Sequence, residues 1–368
     1  MRLHKLFPLA LSLSLLLSAC GGAPAADLSP QPEHSLPAAA TPTPDPTPTP
    51  TPEYTGPRNP LTGEPLDEAY VNRRPVAVML NNLKGALPQL GVAQADILYE
   101  CITEGGITRM LGVWQDPSET GAIGSIRSAR PYYLELALGH DAVFIHAGGS
   151  TDAYDKIRAW GVTALDGVNG PYCGSSPGSN LMWRDAERRR NLGYEHSVIT
   201  TGETIETQFA SYSFRMDHKE GYTYEMAFAD DGTPAGGTAA NTITVPFSNV
   251  KTGVFTYDPE QGCYRVEEYG APYVDGNTGE PVQVKNVLVL RTDVSSVPGD
   301  EAGRLKVRTT GTGSGLLFCD GTVQEITWSK ARDSAPMTYL TPEGEPARLG
   351  VGPSYVNLVS QSAQVAVE

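Results

Sequence analysis

The chain from residue 75 to residue 150 contains short, mostly apolar runs that are bounded by glycine or charged positions. Runs of about four to eight apolar residues between such boundaries are typical of buried strands. They occur at Pro75–Leu80, Asp96–Ile102, Ile107–Trp114 and Ala142–His146. Gly105-Gly106 separates the second run from the third and is expected to form the turn of a strand pair.

Three segments of the same half carry the end signals of helices. The predicted helices are Ser125–Leu138, the segment that follows Ser150 and ends at Trp160, and Thr200–Phe209. Pro131 lies near the first turns of the first helix, where proline is tolerated. Gly161 ends the second helix, and the capping box Thr200-x-x-Glu203 opens the third.

The pattern changes after a polar, glycine-rich stretch at 230–240, which we interpret as the seam between two segments. Beyond it, short runs typical of strands follow one another, separated by turns such as Asp320-Gly321. The predicted strands are Thr242–Phe247, Gly253–Asp258, Cys263–Glu268, Val284–Leu290, Leu305–Thr309, Gly315–Cys319, Thr322–Trp328, Met337–Leu340 and Tyr355–Val359. This arrangement predicts an α+β fold with a mostly antiparallel second half, and not a βαβ repeat.

The first twenty residues have the features of a bacterial signal peptide. Arg2 and Lys5 provide positive charge, and Leu6–Leu17 is an apolar run that is too short to span a bilayer. Leu17-Ser18-Ala19-Cys20 resembles the bacterial lipobox, in which the cysteine receives a diacylglycerol. We therefore predict that a lipidated Cys20 anchors the chain to the membrane, with an ordinary secretory cleavage as the alternative.

Residues 21–57 form a proline- and threonine-rich stretch that is predicted to be a disordered linker. Thr41–Pro52 reads TPTPDPTPTPTP, an alternation that favours polyproline II. Two folded domains are predicted to follow, an N-terminal domain at 58–229 and a C-terminal domain at 230–368. The linker would hold these domains away from the membrane surface.

Charge and composition restrict the kinds of partner. The chain of 368 residues has 27 lysines and arginines against 42 aspartates and glutamates, a net charge of -15. Such a chain repels a phosphate backbone, so we expect no nucleic-acid partner through general electrostatics. Hydrophobic residues make up 40% of the chain, enough for a core. No apolar run after residue 20 reaches the roughly 20 residues of a membrane span. We therefore expect a globular body on the extracytoplasmic face of the cell membrane.

Several short motifs, in their order along the chain, resemble those of the YerB-like family of bacterial lipoproteins. They are NPLTG at 59–63, RPVAV at 74–78, QADILYE at 94–100, EGGITR at 104–109, IGSIRSARP at 123–131, HAGGS at 146–150 and ITW at 326–328. The match extends over nearly all of 59–359. The resemblance implies a two-part α+β fold in which sheets and helices stack as layers. Both domains of the family are of unknown function, so the resemblance implies no activity.

The first candidate site is a pair of arginines. Arg127-Ser128-Ala129-Arg130 lies within the first predicted helix, where a spacing of three places both guanidinium groups on one face. Two arginines suit the bidentate capture of a carboxylate or phosphate. Alternatively, they pair with internal carboxylates such as Glu100 or Glu104 and only support the fold.

The second candidate is the turn His146-Ala147-Gly148-Gly149-Ser150, between a predicted strand and a predicted helix. Glycines and a helix N-terminus favour an anion there, although Ser150 is equally suited to capping the helix. His146 is a candidate general base, or a histidine with its hydrogen bonds satisfied at the end of a strand. If these residues converge with Glu104 and Arg109, they form the best candidate for a ligand-binding or catalytic site.

The remaining chemistry-bearing residues give weaker signals. Cys101, Cys173, Cys263 and Cys319 follow the anchor cysteine, and either a Cys263–Cys319 disulfide or free buried thiols fit their positions. Gly174-x-Ser176-x-Gly178 and Ser248-x-x-Lys251 match catalytic patterns, but their predicted surroundings are loops. The histidines are scattered, so no metal site or cofactor is expected.

These observations leave three hypotheses for function. The first is a lipid-anchored binding or scaffolding module of the cell envelope, with a cell-wall or envelope-protein partner. The second is a hydrolase or transferase of wall polymers that uses Glu100, Glu104, Asp166 or His146 in acid–base roles. The third, a two-lobed solute receptor, is disfavoured by the β-rich second half. The sequence gives no indication of oligomeric state.

Overall fold

A central sheet of eleven strands organises residues 54–224 and 226–368, which are the residues that the computed structural model describes. The predicted signal peptide, Cys20 and the linker up to residue 53 lie outside these residues. No helix in the described ranges is both long enough and apolar enough to cross a membrane.

The helices are α1 (Glu68–Val71), α2 (Pro131–Gly139), α3 (Thr151–Trp160), α4 (Ala186–Asn191) and α5 (Gly202–Phe209). The strands are β1 (Val76–Asn81), β2 (Ile97–Ile102), β3 (Thr108–Trp114), β4 (Ala122–Gly124), β5 (Val143–His146), β6 (Ala164–Asp166), β7 (Cys173–Gly174), β8 (Met182–Arg184), β9 (Val198–Thr201), β10 (Ala227–Ala229), β11 (Thr238–Ala239), β12 (Thr242–Ser248), β13 (Lys251–Asp258), β14 (Cys263–Glu268), β15 (Ala271–Pro272), β16 (Gln283–Val284), β17 (Asn286–Thr292), β18 (Val294–Ser296), β19 (Leu305–Val307), β20 (Gly311–Cys319), β21 (Thr322–Lys330), β22 (Thr338–Leu340), β23 (Arg348–Gly350), β24 (Ser354–Ser360) and β25 (Ala366–Val367).

The central sheet combines strands from both halves of the chain. Its order is β11-β21-β20-β17-β24-β2-β3-β1-β5-β6, and β22 pairs with β21. Strand β24 lies between β17 and β2 and is parallel to both, with Leu358 opposite Cys101 in the register with β2. Strand β24, near the end of the chain, therefore connects the first-half strands to the second-half strands.

Both faces of the central sheet are buried, because side chains of a strand alternate between its two faces. On β1, Val76 and Val78 pack into one hydrophobic core, whereas Ala77 and Met79 pack into the other. Helix α2 covers the Ala77 face through Tyr133 and neighbouring apolar residues. A six-stranded sheet (β15-β14-β13-β12-β25, with β16 beside β14), a four-stranded sheet (β4-β9-β8-β7) and α5 contribute to the core on the opposite face.

The predicted α+β class and the β-rich C-terminal half are confirmed. The structure is a layered arrangement of helices, a central sheet and smaller sheets, as the family resemblance implies. Most predicted strands are present within a few residues of their predicted bounds.

The start of the first predicted helix is wrong. Helix α2 begins at Pro131 and not at Ser125, and Arg130 is extended, with φ -132° and ψ 151°. Proline disfavours the helical conformation in the residue that precedes it, so the helix starts at the proline itself. Arg127 and Arg130 therefore do not share a helix face.

The cap of the last predicted helix also differs by one residue. Thr201, and not Thr200, accepts the hydrogen bond from the Thr204 backbone N–H at the start of α5. The Thr200 hydroxyl instead donates to the backbone carbonyl of Leu181, within the four-stranded sheet.

Candidate functional site

Three of the predicted site residues form one compact ion-pair group. Glu104, in a short 3-10 turn between β2 and β3, accepts hydrogen bonds from Arg109 at 2.9 Å and from Arg130 Nε at 3.1 Å. A second Arg130 nitrogen also contacts the carboxylate. The Arg109 and Arg130 side chains are 6% and 9% exposed, so the group is largely desolvated.

The electrostatics of this group keep Glu104 ionised. Burial alone would raise the Glu104 pKa, but the hydrogen bond from Arg130 and the two guanidinium charges outweigh it and lower the pKa to about 2. Burial and the neighbouring Arg130 lower the pKa of Arg109 to about 10. A carboxylate that is ionised at neutral pH and engaged by two arginines is poorly suited to act as a general acid.

Arg127 points away from this group. Its guanidinium donates to a Glu195 side-chain oxygen at 3.0 Å and to the Glu195 backbone carbonyl at 3.3 Å. The Arg127 side chain is 18% exposed and that of Glu195 is 61% exposed. Arg127 Nε is buried without a hydrogen-bond partner among the described residues. In this ion pair the arginine side chain is therefore the more buried partner, and the glutamate side chain is the more exposed one.

His146 is buried at the end of β5 and faces Asp166. Its Nδ1 lies 2.8 Å from the Gly148 carbonyl oxygen, and Asp166 lies 4.0 Å away. Burial lowers the pKa of His146, so the ring is neutral at physiological pH. Asp166 accepts hydrogen bonds from the Gly148 N–H and the Tyr154 hydroxyl. His146 and Asp166 thus hold the turn between β5 and α3 in place.

Ser150 and Ser128 have local roles in the structure. The Ser150 hydroxyl accepts the Ala153 N–H at 3.3 Å and caps α3. The Ser128 hydroxyl donates to the Ala147 carbonyl, while the Ser128 carbonyl accepts from Arg109. The structure therefore brings Glu104, Arg109, Ser128 and Arg130 together and places Arg127, His146 and Ser150 around them.

A second charged group, whose members the sequence did not bring together, lies fully inside the protein. Lys251, on β13, contacts Glu100 at 2.9 Å and also pairs with Glu268. The Tyr355 hydroxyl donates to a Glu100 oxygen at 2.5 Å and also lies 3.1 Å from a Glu268 oxygen. Asn82 adds a hydrogen bond to Glu100 at 2.9 Å. All of these side chains are buried.

This buried group connects the two halves of the chain, since Glu100 and Asn82 belong to the first half and the others to the second. Burial and then the Glu100 charge raise the pKa of Glu268 to about 8. Burial would lower the pKa of Lys251, but the two carboxylates raise it. Two acidic groups share one lysine, so a proton on Glu268 makes the group neutral. The sequence signals for this group were separate: Glu100 was a candidate partner of the arginines or an acid–base residue, and Lys251 ended the Ser248-x-x-Lys251 match, where β12 turns into β13.

The four described cysteines are free thiols, which decides between the two alternatives of the sequence analysis. Cys101 and Cys319 are buried, and burial raises the pKa of both. A buried thiol with a raised pKa is a poor nucleophile.

Five open cavities of the described chain, of 150 to 560 Å³, are lined by residues outside the predicted site. Two of them are neighbours. A cavity of about 470 Å³ and one of about 560 Å³ both include Gly161, Val162 and Thr163 in their walls.

Comparisons with known proteins support the family that the sequence motifs indicate. A family model described as the N-terminal domain of a protein of unknown function (DUF3048) matches residues 61–215, and the model of the corresponding C-terminal domain matches residues 243–356. The chain is 29% identical over 273 residues to a Bacillus subtilis (strain 168) protein named "Putative lipoprotein YerB", covering 74% of this chain and 77% of that protein. The crystal structure of YerB from Bacillus subtilis superposes with a TM-score of 0.71 at 25% identity, covering 84% of this chain and 99% of that one.

Proposed function

Because this chain belongs to the YerB-like family of proteins with two domains of unknown function, we propose that it is a lipid-anchored binding module on the extracytoplasmic face of the cell membrane. Its ligand or partner would be an anionic component of the cell envelope. The proposal has two parts, the anchor at Cys20 and the binding surface around Arg127.

The anchor is supported by the N-terminal pattern and by the name of the relative. The charged start, the short apolar run and Leu17-Ser18-Ala19-Cys20 fit a lipoprotein signal. A diacylglycerol provides two acyl chains, enough for stable attachment. We expect the wild-type chain to incorporate a labelled fatty acid and to sediment with membranes, and the Cys20→Ser variant to do neither. A soluble, unlabelled wild-type chain would contradict the anchor.

A binding role is supported by the state of the candidate acid–base residues. Glu104 is engaged by two arginines, and His146 is buried against the Gly148 carbonyl. Neither of the two lines any of the five cavities described above. An acid–base catalyst must reach its substrate, so these residues are better explained as supports of the fold.

The observation that carries the binding site is the Arg127–Glu195 pair. The arginine side chain is mostly buried, whereas that of its glutamate is exposed and free to swing away. Exposed carboxylates gain little from such a pair, so a multivalent anion can replace Glu195 at small cost. Burial lowers the pKa of His196, and the positive charges of Arg127 and Arg188 lower it further, so Arg188 adds positive potential close to Arg127.

The test is ligand-induced thermal stabilisation of the mature chain by poly(glycerol phosphate), a soluble anionic wall polymer. We expect the wild type to gain thermal stability with polymer concentration and Arg127→Ala to lose most of this gain. Arg158→Ala is the matched control, because Arg158 is exposed and pairs with Asp155 elsewhere on the surface. Equal gains in wild type and Arg127→Ala would refute the Arg127 site.

A further inference from the structure

The two neighbouring cavities lie along the free edge of the central sheet. Strand β6 is the last strand on that side and pairs with β5 only, among the described strands. The residues Gly161–Leu165, which lead into β6 and form part of it, line the cavity of about 560 Å³, and three of them also line the cavity of about 470 Å³. The two cavities therefore share a wall along this edge, and we call them together the edge groove.

Aromatic rings are present along both parts of the edge groove. Trp160, at the end of α3, is half-buried and lines one cavity. Tyr172 and Tyr212 line the other, with ring centroids 5.6 Å apart, and Phe214 lies beside them. Half-buried aromatic rings offer flat apolar surface together with polar edges, and polarised C–H groups pack well against their faces.

Cations are concentrated at the Trp160 end. This cavity is lined by Arg74, Arg215, Lys219 and Arg332, against the acidic residues Asp141 and Asp333. The negative charge of Asp141 is already balanced within the protein, since Arg215 donates to both of its oxygens at 2.7 and 2.8 Å.

Two of these cations remain available. Lys219 and Arg332 are exposed, and neither has a carboxylate within 4.0 Å of its charged group among the described residues. The chain as a whole has a net charge of -15, whereas the lining of this cavity has more cations than carboxylates. The cavity therefore favours an anionic ligand.

From this arrangement we infer that the edge groove binds a linear glycan that carries carboxylate groups. One sugar packs against Trp160 and directs its acid group to Lys219 and Arg332, and the next packs near Tyr172 and Tyr212. The aromatic surfaces suit the C–H faces of pyranose rings, and a guanidinium with an ammonium suits a carboxylate. This inference rests on the proposed envelope location but not on the Arg127 site.

The experiment is isothermal titration calorimetry, in which two disaccharides of equal length are titrated into the full mature chain purified in detergent. The first is N-acetylglucosaminyl-N-acetylmuramic acid, which carries a lactyl carboxylate, and the second is diacetylchitobiose, which lacks it. We expect the acidic disaccharide to bind at least about tenfold more tightly, because a charge-assisted hydrogen bond distinguishes the two. The double variant Lys219→Gln/Arg332→Gln should remove this preference while chitobiose binding stays unchanged.

A matched control removes the same charge elsewhere. Arg158→Gln/Lys306→Gln changes two exposed cations outside the edge groove and should bind both sugars as the wild type does. Trp160→Phe keeps an aromatic ring, and we expect it to retain weak binding that Trp160→Ala loses. Far-UV circular dichroism verifies that each variant is folded.

Several results would overturn the inference. They are equal affinity for the two sugars, no binding of either, or an unchanged preference in the Lys219→Gln/Arg332→Gln variant. The Arg127→Ala variant separates this inference from the proposed function. Loss of disaccharide binding in Arg127→Ala but not in the groove variant would refute the edge groove and support the Arg127 site. Loss of the preference for the acidic disaccharide in the groove variant but not in Arg127→Ala would support the edge groove as the binding site. The Arg127 site is tested separately, by thermal stabilisation with poly(glycerol phosphate).

Discussion

Lys251 shows how much a single buried residue depends on distant partners. Its ammonium group lies between Glu100, which is 151 positions earlier in the chain, and Glu268. A buried charge is costly unless it is paired and hydrogen-bonded. Tyr355 and Asn82 donate further hydrogen bonds to the Glu100 carboxylate. The whole group can therefore be buried, whereas an isolated buried lysine would be strongly unfavourable.

Glu268 gives this buried group a measurable pH dependence. Its pKa is raised from 4.5 to about 8, first by burial and then by the Glu100 charge. The folded protein therefore holds a proton on Glu268 that the unfolded chain releases above pH 4.5, and the resulting stability is lost as the pH rises towards 8. We expect Glu268→Gln to make the free energy of unfolding less dependent on pH across this interval.

The measurement is urea denaturation of wild type and Glu268→Gln at several pH values between 5 and 8. Asp96 is also buried, with a pKa raised to about 7, so both proteins share its contribution and only the difference between them reports on Glu268. Parallel pH profiles for the two proteins would show that Glu268 is ionised in the folded state.

Residue by residue, the sequence predicted local partners better than distant ones. Pairing of the arginines with Glu100 or Glu104 is one of the two alternatives that the sequence leaves open, and Arg130 does pair with Glu104, whereas Glu100 pairs with Lys251. Lys251 could not be linked to Glu100, because no spacing rule connects residues on strands of different sheets. Helix periodicity placed Arg127 with Arg130, and the extended backbone before Pro131 separates them.

At the scale of elements, Ser150 is explained by the helix that it starts. Its hydroxyl accepts the Ala153 N–H at the N-terminus of α3, one of the donors that a helix leaves unsatisfied. We expect Ser150→Ala to lower the free energy of unfolding by about 1 kcal/mol and Ser150→Asp to retain most of it. Chemical denaturation measures both. A Ser150→Ala chain that keeps full stability but loses the response to poly(glycerol phosphate) would instead make Ser150 a ligand-binding residue.

The elements themselves were largely predictable, because strand and helix ends carry local chemistry. Gly161 takes φ 61° at the C-terminus of α3, a conformation that glycine adopts without strain, and the sequence placed the helix end there. Strand β14 has its predicted bounds, Cys263–Glu268. The order of strands in the central sheet was not predictable in this way, since the pairing of β2 with β24 depends on contacts between the two ends of the folded chain.

At the scale of the whole molecule, the two family domains share one sheet. The family models match 61–215 and 243–356, and the second match includes part of β24, which pairs with β2 from the first. Without the second half of the chain, strand β2 would expose the backbone groups that pair with β24, and Glu100 would lose Lys251 of β13 and Tyr355 of β24. An unpaired central strand with a buried carboxylate is unfavourable. The domains are therefore separate in sequence but interdependent in the fold.

This interdependence predicts how the protein unfolds and what happens to its parts. We expect chain 54–368 to unfold in one cooperative transition, with tryptophan fluorescence and far-UV circular dichroism giving the same midpoint in urea. We expect chain 54–229 alone to show poorly dispersed amide signals by nuclear magnetic resonance, because β2 and Glu100 lack their partners. Co-expression with chain 230–368 is the control, and it should restore dispersion by supplying β24 and Lys251. Well-dispersed amide signals and cooperative unfolding of chain 54–229 alone would contradict this prediction. They would mean that the first half completes its core without β24, the strand that the second half places beside β2.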